Sequence, residues 1–255
     1  MARDEIVVVE RRFQGIPDVA LGGYVGGLLA GDLAAGEVAL RRPVPLDRAL
    51  RVERREGDRV VLLDGDETLA EAGPASVSLE VPPPVTFEEA RAAETRSLQR
   101  SAAHVHPFPG CLVCGSGRAE GDGLRLFAGP VAGRDVVAAP WIPEAAHAGP
   151  DGAVRPALVW AALDCPTIMA LVFGSPPESE ERVVTARLAV ARVGDVRAGA
   201  PHVVMGWDAG RDGRARVAGG AILSASSAVL AVGRHVLVPT TWGVRLGLDG
   251  WRAGA

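Results

Sequence analysis

The chain of 255 residues contains no lysine and no asparagine, and its only glutamines are Gln14 and Gln99. All 27 basic side chains are therefore arginine. The absence of lysine excludes Schiff-base chemistry on the protein and a Walker-type phosphate loop. The absence of asparagine removes a common oxyanion-hole donor, and no Gly-x-Ser-x-Gly elbow of the serine hydrolases is present. The groups that remain available for catalysis are therefore mainly carboxylates, hydroxyls and backbone groups.

The chain also lacks an excess of positive charge and a long apolar run. Its formal net charge is −4 and its pI is about 5.8, which argues against a general nucleic-acid binder. No apolar run approaches the about 20 residues of a membrane span, and acids stand near the N-terminus where a secretory signal is basic. We therefore expect a cytoplasmic protein. Its 3 cysteines are an odd number, and we therefore do not expect a framework of disulfide bonds.

What the sequence does contain is a series of short β-branched segments that follow one small, apolar segment. Residues 22–30 are apolar on all sides, as is typical of a buried helix. A first strand is predicted at 6–13, and turn residues separate further predicted strands at 37–42, 49–54, 59–64, 68–72 and 76–81. The first part of the chain therefore predicts one strand, one helix and an antiparallel meander.

The second part of the chain repeats this order of elements at low identity. A helix is predicted from Pro156 to about Leu171, after extended segments at 124–127 and 134–140. Predicted strands follow at 182–192, 202–208, 214–221 and 224–232. Between the two parts, a helix capped by Thr86 and running to about Ser101 precedes a Gly/Pro-rich stretch. We predict an N-terminal unit at 1–81, a connector at 82–123 and a C-terminal unit at 124–255.

Three segments of the chain resemble the acyl-CoA thioesterase superfamily, and within it the thioesterase II type. They are Leu-Gly-Gly-Tyr-Val-Gly-Gly-Leu-Leu-Ala at 21–30, Val-Ala-Leu-Arg-Arg-Pro-Val-Pro at 38–45 and Trp-Ala-Ala-Leu-Asp-Cys at 160–165. The resemblance implies an α+β double hotdog fold, in which two central helices are each wrapped by an antiparallel β-sheet. It also implies hydrolysis of an acyl-CoA or acyl-carrier thioester by an activated water, without a required cofactor.

Asp164 is the leading candidate for the catalytic acid. Its neighbours from 158 to 171 are almost all apolar, and burial of a carboxylate raises its pKa towards neutrality, which suits a general base. Alternatively, Asp164 only orients backbone groups, or lies in the last turn of a helix that ends at Cys165-Pro166. The resemblance implies that an acid on the second helix activates the water, and Asp164 matches that position.

The resemblance also implies a threonine that holds the water and a glutamine on the last strand. Thr185 matches the threonine in its spacing from Asp164 and in its strand context, although it is equally a simple strand residue. The predicted last strand contains no glutamine, and Ser226 or Ser227 is its nearest hydrogen-bonding substitute. This departure favours a second hypothesis, a non-catalytic acyl-thioester-binding or scaffold protein of the same fold.

Further residues are candidates for binding the substrate. Gly22 and Gly23, at the start of the first helix, could bring backbone N–H groups and the positive helix end close to a thioester carbonyl, or could serve close packing. Tyr24 could line the acyl cavity or belong to the core, and Trp160 is a further candidate for the acyl site. Arginines that could meet coenzyme A phosphates are Arg125, Arg134 and Arg155.

The connector holds the densest group of metal-capable side chains. Cys111 and Cys114 form a Cys-x-x-Cys-Gly turn, which is typical of zinc knuckles, and His104 and His106 could complete a Cys₂His₂ set. The alternatives are buried structural thiols or a redox pair. A third hypothesis for the whole chain, a hotdog dehydratase, needs a histidine near an acid, and all five histidines lie outside the predicted helices. We expect a homo-oligomer, because double hotdogs pair through sheet edges or faces.

Overall fold

The computed structural model describes residues 5–251. The described residues of the N-terminal part form one α-helix, five strands and a 3₁₀ turn at Arg11–Phe13, where the predicted strand at 6–13 is wrong. Their bounds are β1 Glu5–Val8, α1 Gly22–Ala30, β2 Ala35–Leu40, β3 Ala49–Arg55, β4 Arg59–Asp64 and β5 Glu67–Pro74. Residues 76–81, predicted as a strand, pair with no neighbouring strand, although Leu79 and Val81 pack against the core. The three prolines that follow lack the N–H donors that a sheet needs.

The remaining described residues form three helices and seven strands. Their bounds are α2 Phe87–Glu94, β6 Gly129–Pro130, β7 Val136–Trp141, α3 Pro156–Ala162, α4 Asp164–Gly174, β8 Arg182–Arg192, β9 His202–Asp212, β10 Ala215–Ser224, β11 Val229–Pro239 and β12 Val244–Arg245. Thr86 caps α2 as predicted, and it forms a capping box with Glu89. Helix α2 ends at Glu94, however, and a separate 3₁₀ turn covers Leu98–Arg100.

A single antiparallel sheet, rather than two separate ones, runs through both parts of the chain. The strand order is β1-β3-β4-β5-β2-β8-β11-β10-β9-β7-β6, and β12 pairs with β8. Strands β2 and β8 join the two parts, with Val38 opposite Leu188. The expected picture of two helices, each with its own sheet, therefore needs correction, since the central strands are shared. The domain boundaries proposed from the sequence stay a prediction.

The glycines of α1 allow this helix to lie directly against α3. A Cβ added to Gly27 would come within 2.5 Å of Ala157 Cα, and one added to Gly23 within 2.8 Å of the Trp160 carbonyl oxygen. Backbone-to-backbone approach of this kind is possible only without side chains. Gly23 thus packs against a helix, rather than against the sheet as the packing alternative expected, and this brings the start of α1 to the start of α4.

The predicted second helix is interrupted at Leu163 and continues further than expected. Pro166 cannot donate the hydrogen bond that would join it to the carbonyl of Ala162. Asp164 follows this one-residue break at Leu163, whose backbone is still right-handed helical, and it lies inside a helical segment that continues past Cys165. The proline therefore does not end the helix at Cys165, and α4 continues through it to Gly174.

The combined segment Pro156–Gly174 is the one stretch within residues 5–251 that is long and apolar enough to cross a membrane by length and composition alone. It contains 19 residues, which is close to the minimum length of a membrane span. The expectation that no apolar run approaches this length is therefore wrong. Its most apolar window is 78% buried inside the protein, against α1 and the sheet. That burial is what a core helix requires.

Candidate active site

Asp164 lies in the first turn of α4 and faces the start of α1. Its side chain is 2% exposed, and its Oδ2 accepts a hydrogen bond from the backbone N–H of Gly23 at 2.7 Å. The first N–H groups of a helix have no acceptor inside that helix, so a carboxylate there satisfies one of them. The sequence thus predicted Asp164 and Gly23 as site residues, but it did not predict the hydrogen bond between them.

The environment of Asp164 favours its neutral form. Desolvation by burial raises the pKa of Asp164 from 3.8 to about 7, and the hydrogen bond from Gly23 opposes this rise. The nearby Cys111 adds a smaller electrostatic contribution in the same direction as burial. A carboxylate with a pKa near neutrality can both take up and return a proton at physiological pH.

Thr185, on β8, is connected to Asp164 through His235 and Thr167. The Thr167 hydroxyl donates to the main-chain carbonyl of Asp164 at 2.6 Å, so towards His235 Nδ1, also at 2.6 Å, it must act as an acceptor. His235 therefore carries its proton on Nδ1. The lone pair on Nε2 then accepts from the Thr185 hydroxyl, at 2.9 Å.

His235 is fully buried, and its surroundings hold it neutral. Burial lowers the pKa of His235 from 6.5 to about 3. Its Nε2 is 3.8 Å from Asp164 Oδ1, but the hydrogen-bond assignment leaves no proton on that nitrogen, and the contact is not an ion pair. The ring therefore fixes the direction of the Thr185 hydroxyl, whose remaining lone pairs are available to another donor.

A mostly apolar cavity of about 180 Å³ opens onto Asp164 and Thr185. Gly22 forms part of its wall between them, since an added Cβ would lie 3.6 Å both from Asp164 Oδ2 and from Thr185 Cβ. The apolar walls include Leu40, Ile168 and Val183, and Trp242 is nearly half exposed beside them. An acid, a hydroxyl and a backbone N–H at a helix start thus surround one end of an apolar space.

Several residues predicted for the site lie elsewhere. Ser226 and Ser227 belong to the turn between β10 and β11, where Ser227 has a φ of 65°, so the predicted strand at 224–232 is wrong in its first residues. Trp160 is fully buried against Gly26 of α1, and Tyr24 stacks on Phe13 with ring centroids 4.0 Å apart. Trp160 is thus a core residue and Tyr24 is a partly buried residue of α1, and neither is part of the cavity wall.

The arginines at the cavity also differ from those predicted. Arg125 and Arg155 donate to the carbonyls of Arg118 and Ala146, and Arg134 donates to those of Pro83 and Pro84, so all three tie loops together. The arginines that line the cavity are instead two consecutive residues just beyond the end of β2. They are Arg41 and Arg42, which form exposed ion pairs with Glu71 and Glu67 respectively.

The cysteines of the connector meet the third cysteine of the chain, directly beside the catalytic candidate. The Sγ atoms of Cys111, Cys114 and Cys165 all lie within 4.8 Å of one another. The predicted ligands His104 and His106 are outside this group, so the Cys₂His₂ set is wrong in its histidines. Cys165 was missed because it stands 54 residues from Cys111, and only the fold brings them together.

His235 is the site residue that sequence reasoning missed. The spacing argument placed the last strand at 224–232, whereas β11 runs over Val229–Pro239 and carries His235 in its interior. The available signal in the sequence was a histidine within the otherwise largely apolar run Val-Leu-Ala-Val-Gly-Arg-His-Val-Leu-Val. In the structure this histidine occupies one of the inward positions, which alternate along β11.

Comparisons with known proteins agree on the fold. No protein-family model matches the sequence, and no curated protein matches it. Among solved structures, the tesB protein of Mycobacterium avium subsp. paratuberculosis is similar at a TM-score of 0.57 and 14% identity, with 93% of each chain covered. Acyl-CoA thioesterase II TesB2 from Mycobacterium marinum has a TM-score of 0.55 and 12% identity, covering 94% of this chain and 93% of that one.

A third similar structure carries no activity in its description. It is a conserved protein of unknown function with a hotdog fold from Alicyclobacillus acidocaldarius, with a TM-score of 0.57, 12% identity and 94% of each chain covered. Identities this low establish the shared fold and nothing finer. The hotdog architecture that the three sequence segments implied is therefore confirmed over nearly the whole chain.

Proposed function

We propose that this protein hydrolyses an acyl thioester, with Asp164 as the general base and Thr185 as the group that positions the water. The observation that carries the proposal is a buried carboxylate, with a pKa raised to about 7, at the end of an apolar cavity. Burial of a carboxylate destabilises the folded protein, and a carboxylate with a strongly raised pKa at a cavity is typical of a functional site. The carrier is coenzyme A or an acyl-carrier protein.

The proposed reaction is a single addition and elimination. Asp164 removes a proton from the water while the water oxygen bonds to the thioester carbonyl carbon, and the carbonyl oxygen becomes an oxyanion. The backbone N–H of Gly22 and the positive end of α1 stabilise this charge, because Gly23 already donates to Asp164. The carbon–sulfur bond then breaks, and Asp164 returns the proton to the thiolate, which yields a carboxylic acid and a thiol.

Thr185 and His235 have different tasks in this proposal. Since the Thr185 hydroxyl donates to His235, its oxygen is left to accept a hydrogen bond from the water. His235, neutral and held between two threonines, orients Thr185 and takes no part in proton transfer. A histidine can thereby take the positioning task that the resemblance assigned to a glutamine.

The size and charge of the cavity favour a short acyl group. At about 180 Å³ it is smaller than the about 300–1,000 Å³ of pockets for drug-sized ligands. Arg41 and Arg42 provide guanidinium groups at its wall, and a phosphate-bearing carrier can compete with their exposed glutamate partners. We therefore propose a short-chain acyl-CoA as the preferred substrate.

A hydratase or dehydratase is disfavoured by the placement of His235. The ring is near Asp164, as such an enzyme requires, but the histidine does not line the cavity and both of its nitrogens are engaged by threonines. Enoyl-CoA hydration is a direct way to test this alternative in parallel with hydrolysis.

The test is thiol release from acyl-CoAs of increasing chain length by the wild type, Asp164→Asn and Asp32→Asn. Asp32 is an exposed aspartate just after α1 and is the matched control. We expect hydrolysis of short acyl-CoAs by the wild type and the control, and a loss of about 100-fold or more in Asp164→Asn. Binding of acyl-CoA without turnover by the wild type would instead support the non-catalytic hypothesis.

A further inference from the structure

The three cysteines of the chain converge on one buried point although two come from the connector and one from a helix. Cys111 and Cys114 precede Gly115 in a tight turn, while Cys165 lies in the first turn of α4. Cys111 Sγ and Cys165 Sγ are 3.6 Å apart, and all three sulfurs are buried and free of disulfide bonds. No other His, Cys, Asp or Glu in residues 5–251 offers a ligand atom to this group.

The turn of the connector is built to direct backbone N–H groups towards a sulfur. The N–H of Gly115 donates to the carbonyl of Cys111, and a Cβ at position 115 would come within 2.4 Å of that same oxygen. The backbone N–H groups of Val113 and Cys114 both donate hydrogen bonds to the Cys111 sulfur. Cys-x-x-Cys-Gly turns with N–H donors of this kind are typical of thiolate ligands.

We propose that Cys111, Cys114 and Cys165 bind a thiophilic metal ion of the zinc or copper(I) class. A tetrahedral ion with Zn–S bonds of about 2.3 Å separates its sulfurs by about 3.8 Å, which is close to the separation of Cys111 and Cys165. Binding forms three metal–sulfur bonds and releases three thiol protons to solvent. Soft thiolates select Zn²⁺ and Cu⁺ over Mg²⁺ or Ca²⁺.

The burial of the three sulfurs also supports a cation. All three cysteines are buried, and thiolates enclosed in the interior without a counter-charge are costly. An ion bound among them would neutralise that charge.

The histidines of the connector are excluded as ligands by their hydrogen bonds and position. His106 Nδ1 accepts from the backbone N–H of Phe108 at 2.9 Å, so the proton of the neutral ring is on Nε2 and that nitrogen has no lone pair for a metal. His104 lies outside the group of sulfur atoms. The fourth position of a tetrahedral ion is left to a non-protein ligand, while copper(I) can be three-coordinate.

The proposed ion would join two segments that are far apart in the sequence. It ties the connector turn to the first turn of α4, where Cys165 follows Asp164 directly. The metal site would thus fix the segment that positions the candidate base, without contacting the cavity. This proposal does not depend on the proposed hydrolysis.

The experiment measures metal content in reduced, full-length protein produced in medium that contains zinc and copper salts. Elemental analysis is expected to find close to one ion per chain, and the identity of that ion distinguishes zinc from copper(I). Cys111→Ser, Cys114→Ser and Cys165→Ser are expected to lose most of it. His104→Gln and His106→Gln are the matched controls and are expected to keep it.

A second arm uses Co²⁺ added to the metal-free wild type, which does not depend on the folding of a variant. A thiolate-to-cobalt charge-transfer band is expected in the near ultraviolet and should disappear when Zn²⁺ is added in excess. The proposal is overturned if the wild type contains no zinc or copper and shows no such band. It is also overturned if the unreduced protein carries a disulfide between these cysteines, or if the histidine variants lose the ion as the cysteine variants do.

Discussion

Asp164→Asn is expected to change the way in which the stability of the protein depends on pH. In the unfolded chain the carboxyl group has its ordinary pKa of 3.8, and burial raises this value to about 7 in the folded protein. Between these values the folded state binds the proton more tightly, so wild-type stability falls as the pH rises. Asparagine has no proton to lose, keeps an oxygen for the Gly23 N–H, and lacks this dependence.

The magnitude follows from the two pKa values. A shift of about 3 units corresponds to about 4 kcal/mol over the whole titration, at about 1.4 kcal/mol per unit. Between about pH 5 and about pH 8 the wild type is expected to lose about 3 kcal/mol through this one group. The stability of Asp164→Asn relative to the wild type should therefore rise by that amount over the same interval.

Urea unfolding of both proteins at about pH 5 and about pH 8 measures this difference directly. The exposed carboxylate Asp32 again supplies the control, and Asp32→Asn is expected to change the unfolding free energy by a similar small amount at both pH values. A difference between Asp164→Asn and wild type that stays the same at both pH values would refute the assignment of a desolvated carboxyl group. Unequal denaturant slopes would call for a second probe of unfolding.

The remaining predictions concern the groups around Asp164. Thr185→Val should lower kcat by about 100-fold or more, whereas Thr185→Ser keeps the hydroxyl and should retain much of the rate. His235→Leu removes the donor to the buried Thr167 hydroxyl, which keeps its bond to the Asp164 carbonyl, and the acceptor of the half-buried Thr185 hydroxyl. It should cost about 1–3 kcal/mol in total in urea unfolding, while His235→Gln should recover part of this loss. Arg41→Ala should raise KM for an acyl-CoA more than for the matching acyl-pantetheine, which lacks the nucleotide phosphates. The reasoning fails for Thr185 if the valine variant is as fast as the serine variant, and for Arg41 if both substrates are affected equally.

The sequence supports the general architecture because the relevant signals are local. The apolar segment with paired glycines became α1, and turn residues marked most strands within a few residues of their observed ends. Asp164 was identifiable because a carboxylate in an apolar segment is conspicuous without knowledge of its neighbours. Thr185 followed from its spacing to Asp164 and the resemblance, and the structure connects the two through His235.

Features that depend on long-range pairing were beyond the sequence. The joining of the two parts into one sheet is a pairing of β2 with β8, which no local pattern specifies. His235 was missed because the turn at Ser227 moves the last strand along the chain, so that the polar residue, which lay beyond the predicted strand at 224–232, falls in the interior of β11. Cys165 was missed as a partner of Cys111 for the same reason, since only the packing of α4 against the connector brings them together.

The most direct test of the central claim is the pH dependence of kcat/KM for a short acyl-CoA in the wild type and in Asp164→Asn. If Asp164 is the general base, wild-type kcat/KM rises with pH and levels off above an apparent pKa of about 7, the value of the buried carboxyl group. The residual activity of Asp164→Asn then lacks this inflection. A wild-type profile that is flat across this region, or the same inflection in Asp164→Asn, would contradict the account.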